Sequence, residues 1–242
     1  MFYLIGLGLD AESLSAKALS ILKKCKKVYL ESYTVDFPYS FEQLEKELDL
    51  HEKIIKLNRE IVEREDFLKE AKKLDIALLA YGSPLVATTH ISLILKCKKD
   101  KIKYQILHNA SIFDAITETG LQLYKFGKIA SMPKFQINFE PSSFLDVLKE
   151  NQSIKAHTLI LTDINLNSKD ALVQLEKTSK IKNIKLEKII IISRAGTNES
   201  QIYYNTIENL KKIEAKMPFC IIIPSGLHYL EEEALKILRE GI

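Results

Sequence analysis

Closely spaced cysteines are missing from this 242-residue chain: the three present, Cys25, Cys97 and Cys220, lie far apart. Their scatter gives no zinc-ligand spacing and fits a protein kept in a reducing, cytoplasmic environment. No two of the five histidines stand at H-x-x-x-H or a similar interval, so nothing in the sequence points to a metal site. Long hydrophobic runs are missing too, and no stretch approaches a membrane span. No positive segment precedes the opening FYLIGLGLD, which reads as a first strand rather than a signal peptide. Nor does one sign of charge dominate. Lys and Arg number 35 against 32 Asp and Glu, and the resulting +3 is too modest for a dedicated nucleic-acid binder, although a macromolecular substrate is compatible with it. Glycine is scarce while Lys, Glu, Ile and Leu are heavily used. Hyperthermophile proteins and AT-rich genomes share that bias, so composition leaves the source open.

What is present is enough apolar residue, 46%, to build real cores. The length suits one large domain or two ordinary ones. Strand-like and helix-like segments alternate through the first half. Strands are expected at 2–7, 27–31, 54–57, 76–80 and 104–107, and helices at 14–23, 41–48, 61–73 and 89–98. This βαβ rhythm predicts an α/β domain with a mostly parallel sheet. The second half predicts strands at 128–131, 157–161, 188–193, 201–204 and 219–223, and helices at 144–150, 168–178 and 229–238. The 193–204 region reads as a hairpin, so the second sheet is expected to be mixed. The division is placed at residues 124/125, giving domains 1–124 and 125–242.

The most informative stretch is Tyr81 to His90, YGSPLVATTH, which reads as the turn between a buried strand and a helix. In an open α/β sheet such a turn lies at the carboxyl end of a strand, where ligands bind. Its small residues let a ligand approach the backbone, and His90 stands where a polar helix cap would. Gly6 to Leu9, G-L-G-L, also follows a strand. It is half of a dinucleotide fingerprint: Ala11 replaces the third glycine, and Glu31 is a weak match for the acidic partner. A tight turn and a cofactor loop both remain open there. In Asn109-Ala110-Ser111-Ile112, Ser111 can cap the next helix or meet a ligand. Ser193-Arg194-Ala195-Gly196-Thr197 is either a turn with Gly196 at positive φ or a second wall of a cleft between domains. His157 and His228 read as structural. The lysine clusters at 23–27, 98–103 and 180–188 read as solvated surface, with docking to an acidic partner as the alternative.

Taken in order along the whole chain, FYLIGLGL, GSPLVATTH, NASIFDAITETGLQLYKFGK, HTLILTDI and SRAG resemble the diphthine synthase family of archaea and eukaryotes. The resemblance implies two α/β domains of the tetrapyrrole methylase type, with S-adenosylmethionine (SAM) in the interdomain cleft, and a homodimer. Carried over by local match, the cofactor contacts fall on Leu9, Ser83, Val86, Ser111, Ile112, Thr162, Ala195 and Phe219; no catalytic residue is implied. The family's turn reads G-D-P where this chain has Ser83, and a serine accepts hydrogen bonds without balancing a sulfonium charge. Thr162 and Phe219 also depart from the family pattern. The implied reaction is methylation of the amino group of a modified histidine on translation elongation factor 2, with three methyls in archaea and a fourth, as an ester, in eukaryotes. SAM is already activated, so alignment rather than a catalytic triad is expected to do the work. Tyr81, Phe113 and Tyr124 are the candidates to line the space for a growing ammonium group. The alternatives are a same-fold methylase acting on a corrinoid precursor or ribosomal RNA, a non-catalytic relative that binds elongation factor 2, and a nicotinamide-dependent enzyme.

Overall fold

Strand β1 (Phe2–Gly6) is hydrogen-bonded on both sides, to β4 (Ile76–Ala80) and to β5 (Tyr104–Leu107), in parallel register. Strands β2 (Lys27–Glu31) and β3 (Ile54–Leu57) complete the first sheet of this computed structural model in the order β3-β2-β4-β1-β5, all parallel. The residues alternate between faces as the pleat requires. Phe2, Leu4, Ile76 and Leu78 enter one buried cluster, whereas Ile5, Leu7, Ala77 and Leu79 enter the other. A sheet buried on both faces explains why the β4 sequence IALLA carries no polar alternation.

The structure describes residues 1–240; positions 241–242, which end the expected second domain, lie outside the described residues. The helices between the strands start where the sequence supplies caps. Ser15 before α1 (Ala16–Leu22), Ser40 before α2 (Phe41–Leu48) and Asn58 before α3 (Arg59–Arg64) each accept a backbone N–H three residues on, each cap contributing about 1 kcal/mol. The single helix expected over 61–73 is in fact two pieces. Glu65 takes φ 59°, ends α3 and turns the chain into a 3-10 segment at Asp66–Lys72. Glutamate is not a residue that marks a left-handed turn, so the sequence pattern did not show the break. Helix α4 (Ile91–Lys99) follows the YGSPLVATTH turn.

The second sheet contains β6 (Ala130–Met132), β7 (Thr158–Thr162), β8 (Ile189–Ser193), β9 (Gln201–Asn205) and β10 (Phe219–Ile223), in the order β6-β7-β10-β8-β9. Only β6–β7 is parallel; β10 runs antiparallel to both neighbours, and β8–β9 is a hairpin. The sheet is mixed, as the sequence implies. Helices α6 (Ser143–Ser153) and α7 (Ser168–Ile181) contribute Phe144, Leu148, Leu172 and Leu175 to its core, together with Ile191 and Ile221.

The chain divides into two units at Ile112/Phe113, inside the short helix α5 (Ile112–Ala115), earlier than the expected 124/125. Residues 113–124 belong with the C-terminal unit because helix α8 (Tyr229–Glu240) holds them there. The buried Glu231 carboxylate accepts the Gln122 N–H at 3.0 Å, and Gly120 lies so close to Ala234 that a Cβ would meet the Ala234 Cβ at 2.3 Å. Glu231 also accepts from the Lys125 ammonium, the His228 N–H and His157 Nε2. The Ser225 N–H donates to His157 Nδ1, so the proton of this buried ring sits on Nε2 and points at Glu231. Burial lowers the His157 pKa, and Glu231 only partly offsets that. Burial raises the Glu231 pKa, but its four hydrogen bonds outweigh burial and hold it at about 2. His157 is therefore structural, as read, and the GLQLYKFGK segment is seated by a buried carboxylate.

Candidate functional site

The strand order defines where a ligand fits in the first unit. From β1 the chain moves outward to β2 and β3, returns to β4, then crosses to β5 on the far side of β1. The direction reverses between β4 and β1, which is the topological switch point of an open α/β sheet. The two loops leaving these strands are tied to each other. Leu7 N–H donates to Ala80 O at 2.8 Å, Gly8 N–H to Gly82 O at 3.1 Å and Gly82 N–H to Gly8 O at 2.9 Å. Gly8 and Gly82 sit at φ +79° and +67°, conformations that a side chain strains. A Cβ at Gly6 would stand 2.5 Å from Gly82 O and 2.9 Å from Pro84 Cδ. The third loop, after β5, joins through Asn109, whose amide donates to Gly6 O and Ser13 O. Sequence reading did not single out that clamp, although an Asn at a parallel strand's carboxyl end is a usable signal.

Five expected contact residues meet on this rim. Leu9, Ser83 and Ser111 are buried, and Val86 and Ile112 are half-buried. Ser83 Oγ is 3.5 Å from His108 Nδ1. The GSP turn is fixed from behind, where Pro84 O accepts from Thr88 Oγ1 at 3.0 Å and from His90 Nδ1 at 2.9 Å. His90 is thus not the helix cap suggested by its position. Its side chain makes no cap bond, and its buried ring serves the turn instead. Glu31 is only 1% exposed, with Tyr33 N–H on Oε1 and His90 Nε2 3.9 Å from Oε2. So placed, it cannot reach a ribose, and the dinucleotide alternative loses its acidic partner.

The remaining three residues share one end of the second sheet. Thr162 closes β7 and donates from Oγ1 to the carbonyl of Phe219, the first residue of β10, at 2.9 Å. Antiparallel pairing puts Ser193 opposite Phe219, and Ala195 follows in the next turn. There Arg194 N–H donates to Pro218 O, and Ser193 Oγ donates to Lys216 O. Gly196 has the expected positive φ of 75°, and Arg194 shares it at 49°. Thr162 and Phe219, two of the three departures from the family pattern, are bonded to each other, so these residues fasten strand ends here.

A third group was not visible as such in the sequence. Tyr81 donates its hydroxyl to Leu9 O at 3.1 Å, and its ring meets Phe37 edge-on at 5.4 Å. Tyr39 lies 5.5 Å from Phe37 and 6.5 Å from Tyr81. Of the rings expected to surround an ammonium group, Tyr81 is thus joined by Phe37 and Tyr39 from the loop after β2. Tyr124, at 81% exposed, stands out in solvent instead.

The rim's charge is one-sided. Residues 6–13, 81–90 and 108–112 contain Asp10 and Glu12 but no Lys or Arg, in a chain with 35 of them. A pyrophosphate would find no cationic side chain here, whereas a sulfonium cation meets no repulsion. The residues present therefore fit SAM.

Residues 1–211 match the family model described as Tetrapyrrole (Corrin/Porphyrin) Methylases, which makes this a methyltransferase by class. The chain is 38% identical to diphthine synthase of Methanococcus maripaludis (strain C6), over 100% of both chains. It is 34% identical to diphthine methyl ester synthase of Schizosaccharomyces pombe, over 98% of this chain and 93% of that one. A solved crystal structure of diphthine synthase matches with TM-score 0.89 and 31% identity, over 99% of this chain and 96% of that one. The chain belongs to the diphthine synthase family of the tetrapyrrole methylases.

Proposed function

We propose that this protein transfers three methyl groups from SAM to the amino group of the modified histidine of translation elongation factor 2, giving diphthine in diphthamide biosynthesis. Full-length similarity to diphthine synthases supports the substrate. The single observation that carries the cofactor reading is the rim itself: three strand-end loops at a switch point, two tied backbone to backbone and the third fastened by the Asn109 side chain, all free of Lys and Arg. Leu9, Ser83, Val86, Ser111 and Ile112 are the proposed contacts on the first sheet, and Thr162, Ala195 and Phe219 those on the second.

When bound, SAM supplies an activated methyl group. The chain's residues bind, orient and exclude water. Backbone bonds at Gly8 and Gly82 fix the loops in advance, so little ordering remains at the moment of reaction. Apolar Leu9, Val86 and Ile112 keep water away. Dry surroundings favour the neutral, nucleophilic form of the acceptor amine. Among the described residues no helix is long and apolar enough to cross a membrane. We place the protein in the cytoplasm, where elongation factor 2 works. The family resemblance supports a homodimer.

The test is the intact mass of the modified-histidine peptide after elongation factor 2, bearing the aminocarboxypropyl intermediate, is incubated with protein and SAM. A gain of three methyl groups is expected. Four would assign the methyl-ester product, and none, with an active synthase alongside, would refute the reading.

A further inference from the structure

The Phe37–Tyr39–Tyr81 cluster sits beside the loop of Leu9 and is more than core packing. All three residues are half-buried, with Phe37 and Tyr39 packed at the margin of the core. The Tyr39 hydroxyl, by contrast, is buried without a hydrogen-bond partner among the described residues. Buried hydroxyls normally find a partner, and those that do not call for an explanation. Burial and the nearby Asp10 carboxylate raise the pKa of both tyrosines, with Tyr81 adding to the effect at Tyr39, so both hydroxyls stay protonated at neutral pH. Residues 32–40, which carry Phe37 and Tyr39, contain Asp36 and no Lys or Arg, like the rim they adjoin. Ring faces and neutral hydroxyls, on a segment that carries no Lys or Arg of its own, favour one ligand chemistry: a cation with an apolar surface.

Resting on the proposed function, we infer that Phe37, Tyr39 and Tyr81 receive the acceptor's ammonium group as it gains methyls, and so favour completion of the series. In each transfer the lone pair of the neutral amine forms the new N–C bond. The bond from the methyl carbon to sulfur breaks, and its electron pair stays on sulfur. The first two products lose an N–H proton to water and regain a lone pair. The third has no proton to lose, and its charge is permanent. A site that relied on hydrogen bonds from the ammonium would weaken its hold at every step. Ring faces need no N–H and keep theirs.

The test uses the intact protein with S-adenosylhomocysteine present. Titrate the histidine bearing a trimethylated aminocarboxypropyl chain against its neutral tert-butyl isostere. Wild type should prefer the cation by roughly fivefold to tenfold, as one or two cation–ring contacts allow. Tyr39→Leu and Phe37→Leu should remove the preference, and Tyr39→Phe should retain it. With elongation factor 2, the Leu variants should release mono- and dimethyl products where wild type completes the trimethyl series. Equal affinity of wild type for cation and isostere overturns the inference, even if the factor is trimethylated. So does a preference that survives in both Leu variants, or loss of S-adenosylhomocysteine binding in them, which would assign the rings to the cofactor. Failure of the functional reading shows separately, as no mass gain on the factor.

Discussion

Replacing Glu231 by Gln should cost the C-terminal unit about 3 kcal/mol at pH 7, and the cost should fade in acid. The carboxylate is fully buried and accepts from two backbone N–H groups, the Lys125 ammonium and the His157 ring. A carboxyl held at about 2 against an ordinary 4.5 corresponds to about 3 kcal/mol of differential stability. The amide is isosteric but turns an NH2 toward donors, so at least one of the four loses its acceptor. The depressed folded pKa means that the contribution is full above about 4.5 and is lost as pH falls toward 2. Buried, neutral His157 acts in the same direction: its lowered pKa makes the native state lose stability as pH drops below about 6.5, where the unfolded ring takes up a proton. Urea unfolding followed by far-ultraviolet circular dichroism and tyrosine fluorescence at pH 7, 5, 4 and 3 gives the difference curve. Wild type and variant should differ most at pH 7 and converge toward pH 3. A difference under about 1 kcal/mol at pH 7, or one that does not change with pH, would refute the assignment of a stabilising buried carboxylate.

Two further substitutions probe the rim. Gly6→Ala should drive the loops after β1 and β4 apart, since its Cβ would stand 2.5 Å from Gly82 O; we expect a stability loss of about 2 kcal/mol and weaker S-adenosylhomocysteine binding by calorimetry. Unaltered affinity would show that the loops need not touch to form the site. Ser83→Asp restores the acidic residue of the family turn beside His108. It should shift the ratio of dissociation constants in favour of SAM over S-adenosylhomocysteine by about fivefold, because only SAM carries the sulfonium charge; an unchanged ratio would separate Ser83 from the charge-sensing part of the site.

Local order in this chain is written locally, and long-range order is not. The β4 strand, the GSPLV turn and α4 are legible because burial, small residues and helical spacing follow one another within a few positions. The positive φ of Gly196 is likewise a local matter. The break at Glu65 escapes because a glutamate gives no sequence signal for the left-handed backbone it adopts there. The domain division escapes because the contacts that assign residues 113–124 come from Glu231 and Ala234, far along the chain. His90 stands in a cap position, and only the folded turn shows its ring beneath Pro84 O. Phe37 and Tyr39 stand in a loop with no periodicity, and their meeting with Tyr81 depends on β2 and β4 being neighbours. The family resemblance supplied the proposed contact positions directly. It could not show that Thr162 and Phe219 bond to each other.

The clamp around Gly6 has a consequence for how the molecule is made. Its partners lie far along the chain: Tyr81 reaches back 72 residues to Leu9, and Asn109 reaches 103 residues back to Gly6. Loops of that length close slowly, after nearer pairings such as β2 with β3. As the chain leaves the ribosome, the first strand must wait, with its glycine loop unsecured, until nearly half the protein has been synthesised. The rim is therefore among the last parts of the first unit to set. A nascent chain halted before Asn109 would display a partial sheet with no competence to hold a ligand.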